Sequence, residues 1–199
     1  LELNNNRITD KGAATLAKNL NKIRSLYISA NRITDVGLTS LALAMPRSSL
    51  RELAIGNNPF TDVGMLALAS ALRSSHLDTF LCRALEQITV VGGQAMFSAL
   101  AGSSLYYLTF SDIRVSDASA QVLAGALPRS RLAHLVLESC HITDVGVQAL
   151  ALALPESKLH FLNISDNLFT DVGVQALAGA LSFSVLGELW IEPNEAITR

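Results

Sequence analysis

The tetrapeptide Thr-Asp-x-Gly returns along this chain at a nearly fixed interval. It stands at Thr9-Asp10-Lys11-Gly12, Thr34 to Gly37, Thr61 to Gly64, Thr143 to Gly146 and Thr170 to Gly173. Two degraded copies fill the middle: Thr89-Val90-Val91-Gly92 lacks the Asp, and Ser116-Asp117-Ala118-Ser119 lacks the Gly. Thr198 begins an eighth copy, and the successive spacings are 25, 27, 28, 27, 27, 27 and 28. Self-similarity with a period of about 20–50 residues marks a stack of units, none of which buries its apolar face alone.

The text between anchors shows what each unit is. Upstream lies L-x-x-L-x-L-x-x-N-x-I, as in Leu159 to Phe169 and Leu50 to Phe60. Its L-x-L alternation has period two, which predicts a short strand. Downstream, as in Gly146 to Leu154, apolar residues recur three and four apart, which predicts a helix. Pro46, Pro128 and Pro155 follow three of these helices and are expected to stop them. Half of the chain is hydrophobic and only 16% is charged, which fits helices flanked on both sides. Leu150, Leu154, Leu177 and Leu181 are expected to face inward. Leu43 and Leu152 fall on outward positions, either as scattered surface leucines or as a convex patch for a second partner.

This pattern resembles the leucine-rich repeat family, in its ribonuclease-inhibitor-like subfamily, whose units of 27–29 residues each carry a full helix. The resemblance covers essentially the whole chain. It implies a right-handed α/β solenoid, a leucine-rich repeat horseshoe with a parallel concave sheet and convex helices, built of about 7–8 repeats. Residues 1–199 form one such domain. Because the chain opens inside a strand and closes as an eighth helix should begin, it is expected to be a fragment of a longer one.

Within each unit, the anchor Thr is expected to cap a helix and the Asp to sit in its first turn, complementing the macrodipole. The Gly would let the preceding strand-to-helix loop pack close. The Asn after each strand should bond loop backbone and form a ladder through Asn6, Asn31, Asn58, Cys140, Asn167 and Asn194. Leu85 and Ile113 stand at that position in repeats four and five and accept no such bonds, so an irregular loop is expected there. It reads either as repeat decay or as a mark of binding.

Other chemistry is sparse. Net charge is −2, divided as +3 over residues 1–99 and −5 over 100–199, which makes no case for nucleic acid. No apolar run reaches the length of a membrane span. Cys82 and Cys140 lie two repeats apart, about 10 Å at the spacing of parallel strands, too far for a disulfide. Both are expected reduced, which points to the cytoplasm. The four His show no metal spacing, and no nucleophile–base pair or phosphate loop is present. No cofactor and no enzyme activity are expected.

What remains is the face of the sheet that no helix covers. The residues flanking the inward leucines should point there in rows. The candidate partner-binding residues are Tyr27, Glu52, Leu81, Arg83, Tyr107, His134, Val136, Glu138, Phe161, Asn163, Glu188, Trp190 and Glu192. Tyr107, His134 and Phe161 are consecutive in one row, with Trp190 one strand beyond, so their rings should be neighbours. Such rings either anchor a partner or stabilise the sheet face. Glu138, Glu188 and Glu192 make the C-terminal part acidic, and Arg83 is the only base among these face residues. A protein partner with a basic and apolar surface would suit it.

The resemblance also admits other roles. One is a GTPase-activating protein of the Ran-activator type, for which Arg7, Arg32 and Arg114 lie on the loop edge near Asp112. Another is the ligand-sensing segment of a NOD-like receptor or of a bacterial effector. The sequence leaves partner identity and oligomeric state open.

Overall fold

The computed structural model describes residues 1–191. Strands and helices alternate through it. The helices are α1 (Asp10–Ala17), α2 (Asp35–Ala44), α3 (Asp62–Leu72), α4 (Val90–Leu100), α5 (Ser116–Ala126), α6 (Asp144–Ala153) and α7 (Asp171–Leu181). The strands are β1 (Ser25–Tyr27), β2 (Glu52–Ala54), β3 (Thr79–Arg83), β4 (Tyr107–Ser111), β5 (His134–Val136), β6 (Phe161–Asn163) and β7 (Glu188–Trp190). All seven strands among the described residues pair in parallel, in chain order, as one open sheet. This is an α/β solenoid, as the repeats and the family resemblance implied.

The alternation of each strand sets the core. Leu26, Leu53, Phe80, Leu108, Leu135 and Leu162 are the middle residues of one row in register, and none is more than 1% exposed. They meet Leu38, Leu41, Leu68, Leu123 and Leu150 from the helices in one continuous cluster. Each such side chain contributes about 1.5–3 kcal/mol through burial. Leu154 and Leu177 are buried as expected, but Leu181 is 38% exposed, because it stands in the last described helix with no following helix among the described residues. Three helices pass into 3₁₀ turns that contain the prolines: Met45–Arg47, Leu127–Arg129 and Leu154–Glu156. The prolines therefore tighten the helix end rather than terminate it at once.

The anchor does more than cap. Thr34, Thr61, Thr89, Thr143 and Thr170 each accept the N–H two residues on, as expected of an N-cap. The Asp, however, serves the next unit. Asp10 accepts from Thr34 N–H at 2.8 Å, from the Thr34 hydroxyl at 2.8 Å and from Gly37 N–H at 3.0 Å. Asp35, Asp62, Asp117 and Asp144 repeat these three bonds onto Thr61/Gly64, Thr89/Gly92, Thr143/Gly146 and Thr170/Gly173. The Gly faces that carboxylate rather than a loop backbone: a Cβ on Gly37 would lie 2.6 Å from Asp10 Oδ1. The degraded copies obey the same logic. Repeat four has Val90 in place of the Asp, and repeat five has Ser116 and buried Ser119 in place of the Thr and Gly that would have received it.

The Asn ladder forms on both sides of the middle. Asn58 accepts from Ile33 N–H and donates to the carbonyls of Ile28, Ile55 and Gly56. Asn31 and Asn167 do likewise, while the Cys140 thiol donates to Phe110 O at 2.9 Å. Asn194 and Thr198 lie outside the described residues. At Leu85 and Ile113 the polar ladder gives way to apolar packing, both being buried. The irregularity is visible: β3 and β4 have five residues where the other strands have three, and Ser116 takes φ +62° at the start of α5.

Candidate functional site

Strands in equal register hold like-numbered side chains about 4.8 Å apart, closer than aromatic rings can ignore. One row of the uncovered face runs Ser25, Glu52, Thr79, Tyr107, His134, Phe161, Glu188. Its rings stack: Tyr107 on His134 at 5.6 Å and 18°, and His134 on Phe161 at 5.9 Å and 27°. Trp190 meets Phe161 edge-on at 5.2 Å, and Tyr106 closes on His134 at 5.3 Å. These separations are those of favourable aromatic pairs. Tyr107, His134 and Phe161 are half-buried by one another, whereas Trp190 is 56% exposed.

The second row is less open than its sequence position implied. Leu81 and Tyr27 are half-buried, but Val136 and Asn163 are buried. They are short side chains at 6% and 8% exposure, so they present little surface to a partner. Asn163 also spends its carbonyl oxygen on Ser165 N–H at 2.9 Å.

Charge on the face is largely engaged within the chain. Arg83 pairs with Glu138 at 3.2 Å, spanning two repeats. The register partner of Arg83 is Ser111, which lies between the two and is wholly buried with its hydroxyl unpaired. Glu52 accepts a hydrogen bond from the Tyr27 hydroxyl, and this bond, with burial, raises the Tyr27 pKa. The expected acidic region is therefore reduced. Arg83 neutralises Glu138, and Glu192 lies outside the described residues. Glu188 is exposed; its backbone N–H donates to His160 O at 3.0 Å, and its carboxylate has no hydrogen bond or ion pair among the described residues.

The remaining candidates separate from this face. Cys82 and Cys140 are free and buried. Burial raises both thiols, Cys140 to about 12, so neither is a nucleophile at neutral pH. Arg7, Arg32 and Arg114 are exposed on the loop edge with Asp112. Among the described residues no three His, Cys, Asp or Glu could hold a metal ion, and no helix is long and apolar enough to cross a membrane.

On the helical side, Leu43 and Leu152 are exposed as expected, and Leu152 and Phe183 border a groove of about 460 Å³ between α6 and α7. Two recurrent features escaped the sequence reading. Val36, Val63, Val91, Val145 and Val172 occupy the variable position of Thr-Asp-x-Gly and form an exposed row. Ser48, Ser75, Ser103, Ser130, Ser157 and Ser184 each donate to the carbonyl three residues back and accept the N–H two residues on, fixing the helix-to-strand turns that follow α2 to α7. Their own spacing of 27 or 28 residues was the available signal.

Comparison with known proteins agrees with this geometry. The family described as Leucine Rich repeat matches residues 1–17, 19–42, 48–69, 132–151 and 157–178, just over half of the chain. The unmatched centre is the stretch where the ladders lapse. No curated protein matches. Among solved structures, the crystal structure of an internalin (inlF) from Listeria monocytogenes superposes with a TM-score of 0.50 at 20% identity, over 98% of this chain and 54% of that one. The chain thus spans about half the length of that structure, and the likeness is one of fold.

Proposed function

Because this chain belongs to the leucine-rich repeat family, whose members generally mediate protein–protein interaction, we propose that it is an interaction module that binds a partner protein on the concave, uncovered face of its sheet. The observation that carries this reading is the aromatic row from Tyr107 to Trp190 on strands β4 to β7. Rings on a rigid sheet are already ordered, so a partner meets them at little entropic cost. They are also the residue types that dominate interface energetics. Tyr27, Leu81 and the Arg83–Glu138 pair border the anchor, with Val136 and Asn163 supporting the rings from beside.

The 27-residue units with complete helices support placement in the ribonuclease-inhibitor-like subfamily and a single domain. Two free, buried thiols support a reducing compartment such as the cytoplasm. The experiment is a pull-down from the cells that express the protein, using wild type and a Tyr107→Ala/Phe161→Ala variant of unchanged circular dichroism. The reading expects a prey held by wild type and lost by the variant. Equal retention by both overturns it.

A further inference from the structure

We infer that Phe161, Glu188 and Trp190 together form a receptor for an arginine side chain of the partner. This inference rests on the reading of the uncovered face as the binding surface and specifies the chemistry it takes.

Three observations converge. First, the ring row changes character at its end. Tyr107, His134 and Phe161 present stacked, half-buried rings, while Trp190 stands 56% exposed and edge-on to Phe161. An indole held this way offers a π face to a cation. Second, Glu188 is the register partner of Phe161 and lies two residues before Trp190, so all three share one face of the sheet. Third, the carboxylates of Glu52 and Glu138 each have a partner inside the chain, and the Glu188 carboxylate has none among the described residues.

A carboxylate beside an exposed indole asks for a group that is cationic, flat and able to stack. A guanidinium meets all three conditions: it lies on aromatic faces and donates a two-pronged hydrogen bond to a carboxylate. An ammonium satisfies the charge and not the plane. An anion is repelled by Glu188, which excludes a phosphate or nucleic-acid ligand here.

Trp190 is the sole tryptophan, so intrinsic fluorescence reports the site directly. The probe is a short end-capped peptide of alternating arginine and alanine, titrated into the full chain beside its neutral citrulline counterpart. The expected result is a saturable change with arginine, weakened about three- to tenfold by Glu188→Gln and by the citrulline replacement. No saturable response to arginine, an equal response to citrulline, or an unchanged affinity in Glu188→Gln overturns the inference. The pull-down separates the two levels. A prey that Glu188→Gln retains and Tyr107→Ala/Phe161→Ala loses sinks the arginine receptor alone. A prey that both variants retain sinks the face reading with it.

Discussion

Asp117 and Gly146 join two repeats at one point: Asp117 Oδ1 accepts the Gly146 N–H at 3.0 Å, and a Cβ on Gly146 would lie 2.6 Å from that same oxygen. The glycine is there because the carboxylate of the preceding unit needs its place.

Alanine should therefore act oppositely at two helical glycines. At Gly146 the new methyl also meets Ile142 Cγ2 at 2.6 Å, and the Asp117 carboxylate it displaces is held by three hydrogen bonds. Gly146→Ala is expected to cost about 1–3 kcal/mol in urea unfolding. At Gly179 in α7 a Cβ meets nothing within 4 Å. Gly179→Ala is expected to stabilise by about 0.5–1 kcal/mol through helix propensity and a stiffer unfolded chain.

The inter-repeat carboxylates also predict a pH dependence. The Thr170 N–H has the largest effect and holds the Asp144 carboxyl below its ordinary value; burial opposes it, and the Thr170 hydroxyl and Gly173 N–H add to the lowering. A group with a depressed folded pKa contributes stability that is complete above its unfolded pKa, about 3.9, and is lost as pH falls through the folded value. The stability gap between wild type and Asp144→Asn should be widest near neutrality and close in acid. A gap that widens as pH falls would contradict the assignment, and unfolding curves at a series of pH values decide it.

Buried serines offer a matched contrast. The Ser130 hydroxyl donates to Leu127 O at 2.9 Å and accepts from Leu132 N–H, while the Ser111 hydroxyl is buried without a partner. Ser130→Ala should destabilise by about 1–2 kcal/mol, and Ser111→Ala should be neutral or stabilising. Thermal unfolding of the two variants checks this.

These residues also show what the sequence made legible. Period and alternation placed the strands and the helices, and together with the parallel sheet that the family resemblance implied they placed the ring row, because equal spacing in a parallel stack forces equal register. Tyr107, His134, Phe161 and Trp190 are neighbours for that reason. The Asp was read as a partner of its own helix because a single unit shows no bond to the next. The clue lay in the joint lapse of Val90, Ser116 and Ser119 across two units. Burial of Val136 and Asn163 was not legible, since alternation gives the side of a strand and not the height of its neighbours. The Arg83–Glu138 pair, 55 residues apart in the chain, depended on rotamers that no pattern encodes.

The most direct measurement is site-specific photo-crosslinking in the cells that express the protein. A photoreactive amino acid is placed at Phe161 on the sheet face or at Leu152 on the helical face. A discrete adduct from Phe161 and none from Leu152 is the predicted result. An adduct from Leu152 alone would put the partner on the helices and contradict the account.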